Sequence, residues 1–448
     1  MQKLKFYYLL VILFVSLASD AQVTLHSASI NFLQSNDSYT FSMNGLLDGK
    51  NTFTYPNYRA FEPMQKIKIT NKSNITLRNP RITFNNKKNW YDINGLTTEC
   101  FSEAITSKEK ALNLWKFMRN NTLHGNEAEY GGETFDPVKL LGSYGYGLCY
   151  NRNYSNTFVS QAIHLNSRSY SLRGLHFVSE IDFGDGYMLI DSDVETFYLK
   201  SDNTTLASYD DIYTDKHLIR RAHHYGKTVQ YNYDNNESFA YAMYGIRKQP
   251  NYFGNYQDFH SLDCSLRPNE SIEYNWSPAH YYHSFETTHN IDSLDIANGK
   301  FIYATNFINA SLSELVDTAI NCKTYLIGSQ KPNIHADSAA EGAQFVLKIN
   351  SPFVIVNSTV IADFYQQTLN DSILIYFSKD SISWEPIWQS NQTDNYTDSL
   401  NLYNQIATLS STATYFYYLK FKFIGIIAKN SWQKALQLNA GKVLIKGY

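Results

Sequence analysis

The stretch GSYGYGLCYN (residues 142–151) sets a cysteine, Cys149, behind three glycines, and LHFVSEIDFGDGYMLIDSD (residues 175–193) follows with His176 and Asp191. Cysteine, histidine and aspartate in this order are what thiol-based nucleophilic catalysis requires. The imidazole takes the proton from sulfur, and the carboxylate holds the ring in one tautomer and orientation. Gly145 and Gly147 let the backbone turn tightly ahead of the thiol. A turn that presents a side chain at a helix start also favours negative charge there. LHFVSEIDF and YMLIDSD alternate with period two around the turn Gly184-Asp185-Gly186, so a hairpin is expected to bring His176 and Asp191 together.

Outward from this stretch, TSKEKALNLWKFMRNN (106–121) predicts a helix. Thr106 is its N-cap, Glu109 completes a capping box, and Ala111, Leu112, Leu114, Trp115 and Met118 form one apolar face. Trp115 therefore belongs to the core. Cys149 opens a second helix, with Phe158, Val159 and Ala162 expected on its buried side. A helix carrying the thiol and antiparallel strands carrying the other two groups make an α+β layout. Ahead of it, residues 22–99 read as a β region, from FTYPNYRAF, KIKITN and RITFN. Behind it, LRPNESIEYNWSP (266–278) reads as an edge strand leaving the core. Residues 271–333 connect, and residues 334–448 read as a β-sandwich from QFVLKI, FVIVNSTVIADFY, SILIYFSKD, YFYYLKFKFIG and GKVLIKGY.

Residues 1–21 carry the marks of an export signal. Lys3 and Lys5 precede an apolar run of 11 residues from Tyr7 to Leu17, too short to span a bilayer, and Ser19 and Ala21 suit a cleavage site. The expected location is periplasmic or extracellular, with the mature chain starting at Gln22. Losing two lysines and one aspartate takes the net charge from −3 to −4. So nearly neutral a chain carries no electrostatic footprint for nucleic acid. No further apolar stretch is long enough for membrane insertion. The 36 tyrosines suit strands, where aromatic residues are enriched; aromatic rings also stack on sugars. Cys100, Cys149, Cys264 and Cys322 allow three disulfide pairings, and none is preferred. Oligomeric state is equally open.

At this point the chain resembles the transglutaminase-like superfamily, over about residues 100–270. ALNLWKFMRNN is similar to the helix ahead of the nucleophile. GYGLC is similar to the G-x-C turn, HFVSE to the H-x-x-x-E strand, and GYMLID to the aromatic-x-x-x-D strand. The resemblance implies a papain-like core. It implies Cys149 as nucleophile, His176 as base, Asp191 as third member and Glu180 as a supporting acid. Tyr187 stands where the family usually has tryptophan, and the stretch between Cys149 and His176 is short and rich in Asn and Ser. The superfamily holds peptidases, amidases and inactive members, so the fold leaves the reaction open.

Each residue has a plainer reading beside the functional one. Cys149 alone reads as a buried or bridged cysteine, and His176 as a satisfied strand histidine. Asp193 lies two residues beyond Asp191 on the same strand face and competes for its role; Asp191 is preferred. Glu180 shares the face of His176 and reads equally as a site acid or an ordinary strand carboxylate. His164, His223 and His224 lie off the triad spacing and read as surface or structural. No Cys/His pair stands at zinc-ligand spacing, and no cofactor is implied.

Three functions follow as expectations. The first is acyl transfer or amide hydrolysis on a protein, peptide or cell-envelope substrate. The second keeps the fold but performs β-elimination on a uronate polysaccharide, with His176, Tyr146, Tyr150 and Asn151 in the same cleft. The third is a catalytically dead core with a glycan- or protein-binding sandwich.

Overall fold

A computed structural model describes residues 27–32, 39–43, 66–84, 89–124, 133–144, 146–172, 176–225, 237–245, 249–250, 259–275, 299–304, 311–325, 333–337, 342–355, 357–366, 368–407, 414–425, 436–439 and 444–447. The expected export signal lies outside them. So does FTYPNYRAF.

The α+β part is built around two helices and one sheet. Helix Ser107–Asn121 starts at Thr106, whose side chain accepts from the Glu109 N–H while Glu109 reaches back to the cap. Its Ala111, Leu114, Trp115, Phe117 and Met118 are buried. Helix Cys149–Ala162 begins at the cysteine itself. Phe158 and Val159 are buried, whereas Ala162 is half-buried. A four-stranded antiparallel sheet runs in the order Tyr187–Ile190, Phe177–Asp182, Ser167–Ser171, Gln249–Pro250. The hairpin between its first two strands turns at Gly184 and Gly186, whose φ values of 100° and 136° lie where a Cβ would be strained. One apolar cluster joins helix to sheet, with Leu114, Trp115 and Met118 against Val159, Ile181, Met188 and Ile190.

Apart from three two-stranded ladders, the other strands among the described residues form two sheets packed face to face. Alternation in Ala343–Asn350, Ser372–Ser378 and Phe416–Ile424 gives each strand one buried and one outer face. With Thr318–Ile320 and Glu385–Gln389 they form a five-stranded antiparallel sheet. The facing sheet has ten strands. One core cluster fills the space between, with Ile67, Ile272, Phe301 and Val360 from one side and Phe345, Ile375, Leu419 and Phe421 from the other. The molecule is thus a mixed α and β protein with mostly antiparallel sheets, and its strand-rich part is a β-sandwich.

The ten-stranded sheet crosses the divisions expected at residues 99, 271 and 334. It takes Ser27–Phe32 and Lys66–Asn71 from the N-terminal region, Gly299–Ala304 and Cys322–Tyr325 from the connecting segment, and strands of the tail. Strand Ser271–Asn275, expected at an edge, is an inner strand, paired on one side with Lys66–Asn71 and on the other with Gly299–Ala304. Its Ile272 is fully buried; a strand hydrogen-bonded on both sides has no free edge. Val138, Leu262, Val354 and Tyr415 pack together where the α+β part meets the sandwich.

Candidate functional site

The turn ahead of the thiol is held by strand pairing with Leu123–His124 and by side-chain hydrogen bonds. The Leu148 N–H donates to Asn151 Oδ1 at 2.9 Å, and Asn151 Nδ2 donates to Thr134 Oγ1 at 2.6 Å. A Cβ at Gly147 would lie 2.9 Å from Asn151 Cβ, so glycine is what lets the strand Tyr146–Gly147 close on the helix start. The side chain of Tyr146 and all of Gly145 lie outside the described residues. Cys149 is half-buried, and it, Cys100, Cys264 and Cys322 are all free thiols.

Beside the buried Tyr154, Phe158 and Val159, much of the enclosed side of the cysteine helix is polar. Asn151, Arg152, Asn153, Asn156 and Thr157 are almost entirely enclosed, and the ordinary requirement that enclosed polar groups find partners explains their neighbours. Asn153 Nδ2 donates to the Cys149 carbonyl at 2.9 Å and to the Phe177 carbonyl at 2.8 Å, stapling the thiol's turn to the strand that follows His176. Asn156 Nδ2 donates to Ser179 Oγ at 2.9 Å, and Asn156 Oδ1 accepts from Ser192 Oγ at 3.0 Å. Arg152 donates to Thr122 Oγ1 at 2.9 Å and lies 3.3 Å from Asp193 Oδ1.

His176 and Asp191 meet across the hairpin, with Nε2 to Oδ2 at 2.5 Å and both side chains buried. Asp191 Oδ1 accepts from the N–H groups of Asp193 and Val194 at 3.0 and 3.1 Å. Its Oδ2 also accepts from Tyr244 Oη at 2.7 Å. Burial opposes the charge on Asp191, but the His176 charge and the hydrogen bonds from His176, Tyr244 and Val194 hold its pKa below the usual value. Burial likewise opposes protonation of His176. The Asp191 charge, its hydrogen bond and the nearby Cys149 thiol prevail, and hold the imidazole well above its usual value. With Nε2 committed to Asp191, the other ring nitrogen is the one left to meet sulfur.

The remaining expected residues are distributed around this pair. Asp193 is buried against Arg152, and one of its oxygens lies within 4.8 Å of the Cys149 sulfur and a His176 nitrogen. Cys149, His176 and Asp193 are the one cluster of metal-ligating type among the described residues; the Arg152 guanidinium competes with any cation for that carboxylate. Glu180 accepts from Arg168 Nε at 2.8 Å and from the Tyr209 N–H at 2.7 Å, anchoring the start of helix Tyr209–Thr214. Tyr187 lies under the Arg168 guanidinium, 3.7 Å from its ring centroid. Tyr150 packs between the rings of Phe135 and Phe177, at 5.5 and 5.8 Å, next to the thiol. His164 is exposed and takes a positive φ of 62° where the cysteine helix ends; the side chains of His223 and His224 lie outside the described residues.

Two members of the site carried no signal in the sequence. Tyr244 reaches Asp191 from helix Glu237–Tyr244, 53 residues away. Arg152 looks like an ordinary charged position of an exposed helix until the fold encloses it.

No protein-family model and no curated protein matches this chain. Among solved structures it aligns with a native family 35 carbohydrate-binding module from Clostridium thermocellum, at 9% identity over 33% of this chain and 97% of that one, with a TM-score of 0.21. It also aligns with the C-terminal family 6 carbohydrate-binding module of LamC, a marine laminarinase from Zobellia galactanivorans, at 9% identity over 32% and 97%, with a TM-score of 0.20. A third is a carbohydrate-binding module from Cellvibrio mixtus lichenase 5A in complex with cellotriose, at 10% identity over 29% and 89%, with a TM-score of 0.19. Overlaps this slight decide nothing about the chain. No helix of the described residues is long and apolar enough to cross a membrane.

Proposed function

We propose that this protein is a cysteine-dependent acyl-transfer or amide-hydrolysing enzyme with a transglutaminase-like core, in which Cys149, His176 and Asp191 act together. The observation that carries this reading is the buried His176 imidazole clamped by Asp191 at 2.5 Å, with a ring nitrogen within 4.8 Å of a half-buried thiol at the first residue of a helix. His176 takes the thiol proton, and the thiolate attacks the carbonyl carbon of a carboxamide or peptide bond. The first N–H groups of the helix lack intrahelical partners and suit the oxyanion of the tetrahedral intermediate. That intermediate collapses to a thioester as the C–N bond breaks, and His176 returns the proton to the leaving amine. Water or a second amine then attacks the thioester, with His176 accepting its proton, and frees the thiol.

β-Elimination is the weaker reading, because Asn151 is fully buried and its amide is already engaged in holding Leu148 and Thr134. A glycan-binding role for the sandwich is compatible with the enzyme and is taken up below.

The test is incorporation of a dansylated diamine into dimethylcasein, run beside a continuous ammonia-release assay. Turnover in either assay that disappears in Cys149→Ala, with an unchanged melting temperature, is the expected result. Turnover that survives the substitution removes Cys149 from the reaction. No turnover, together with a Cys149 no more reactive to iodoacetamide than the buried thiols, removes the enzyme.

A further inference from the structure

The outer face of the five-stranded sheet is not an ordinary solvated one. Phe416, Tyr418 and Lys420 follow each other on it along strand Phe416–Ile424, and the register sets Tyr418 beside Lys348 and Lys420 beside Tyr376. Two clusters result. The Lys420 ammonium lies 4.0 Å from the Trp384 ring centroid and 4.7 Å from that of Tyr376. The Lys348 ammonium lies 4.7 Å from Phe416 and 5.8 Å from Tyr418. Successive outward positions on a strand are roughly 6.6 Å apart, so the clusters form a continuous platform. Phe416 is 40% exposed. No Asp or Glu stands at any outward position of the three central strands. Burial and the charge of neighbouring Lys422 both push Lys420 below its usual value, the direction expected of an ammonium without a counter-charge.

We propose that this face binds an acidic polysaccharide, a chain of uronate sugars. Aromatic rings offer flat apolar surfaces to the C–H faces of pyranose rings, and the interleaved ammonium groups meet the carboxylates. A neutral glycan would have to displace Lys348 and Lys420 from the rings and return nothing for the lost cation–π contacts. A carboxylated one draws each lysine off its ring into an ion pair and uncovers the stacking surface. The site stands on elements of the sandwich alone and does not depend on the triad.

Affinity electrophoresis of the full chain through gels containing polygalacturonate tests this. Retardation is expected, and it should weaken about tenfold in Lys348→Ala/Lys420→Ala and in Trp384→Ala. Cys149→Ala should be retarded like the wild type, which separates this site from the proposed catalysis. Hydroxyethylcellulose, poly-L-glutamate and single-stranded oligothymidylate serve as the neutral-glycan, anionic-peptide and nucleic-acid comparators. Absence of retardation, retardation indifferent to both variants, or equal retardation by any comparator overturns the proposal. Should Trp384→Ala unfold, Lys348→Gln/Lys420→Gln keeps the test open, because both lysines stand on the outer face and their replacement leaves the core untouched.

Discussion

At the scale of single residues, the site is a thiol whose base is positioned by more than its immediate partner. Asp191 receives four hydrogen bonds, from His176, Tyr244, Asp193 and Val194, which fix the carboxylate as firmly as the carboxylate fixes the ring. Tyr244→Phe removes a donor that lowers the Asp191 pKa. The acid limb of Cys149 alkylation by iodoacetamide should therefore move to higher pH, a shift that a purely structural tyrosine would not cause. Asp191 is held below its usual value, so its contribution to stability is present above the unfolded carboxylate value of about 3.9 and is lost as pH falls through the folded value. His176 is held above its usual value, so its contribution is complete below about 6.5 and is lost as pH rises through the folded value. The pair is expected to stabilise most between roughly pH 4 and 6.5. The melting-temperature gap between wild type and Asp191→Asn should narrow as pH is raised beyond that window; a gap that widens would contradict the pairing. Alkylation at neutral pH should fall first on Cys149. Burial pushes Cys264 and Cys322 up to about 12 and Cys100 well above its usual value, so mass spectrometry should find these three unmodified.

At the scale of elements, the cysteine helix shows how far local sequence reaches. Its start was legible because Gly145 and Gly147 set a tight turn directly ahead of Cys149, and the capping box of the earlier helix was legible because Thr106 and Glu109 satisfy each other locally. The polar interior of the cysteine helix was not. CYNRNYSNT has no apolar stripe, and its buried Asn and Arg side chains become intelligible only against Thr122, Phe177, Ser179 and Asp193. Arg152→Met leaves Asp193 enclosed without its cation, and should cost about 3–5 kcal/mol, measured by urea denaturation. Arg152→Met/Asp193→Asn should recover part of that loss. Gly147→Ala places a Cβ against Asn151. It should cost roughly 1–3 kcal/mol and slow Cys149 alkylation by displacing the turn.

At the scale of the whole molecule, the ten-stranded sheet ties the chain's early, middle and late segments together. Ile67, Ile69, Ile272, Phe301 and Tyr303 are fully or almost fully buried in its core. Together they contribute on the order of 10 kcal/mol, comparable with the whole net stability of an ordinary domain. A fragment of residues 334–448 lacks all five and should bind the dye ANS or aggregate, whereas the full chain should not; a soluble fragment with a cooperative melting transition would show that the early strands are dispensable. The sequence by itself determined the alternation of the sandwich strands, the helix ahead of the thiol, and the hairpin carrying His176 and Asp191. Each of these is written in residues a few positions apart, where period and turn chemistry act. The tertiary structure alone decided that Ser271–Asn275 is an inner strand and that the polar strand Asp394–Asn401 pairs with Ser358–Gln366. It alone brought Tyr244 to Asp191 and enclosed Arg152. Such pairings join residues tens to hundreds of positions apart, and their selection rests on burial and hydrogen-bond satisfaction that exist only once the chain has closed.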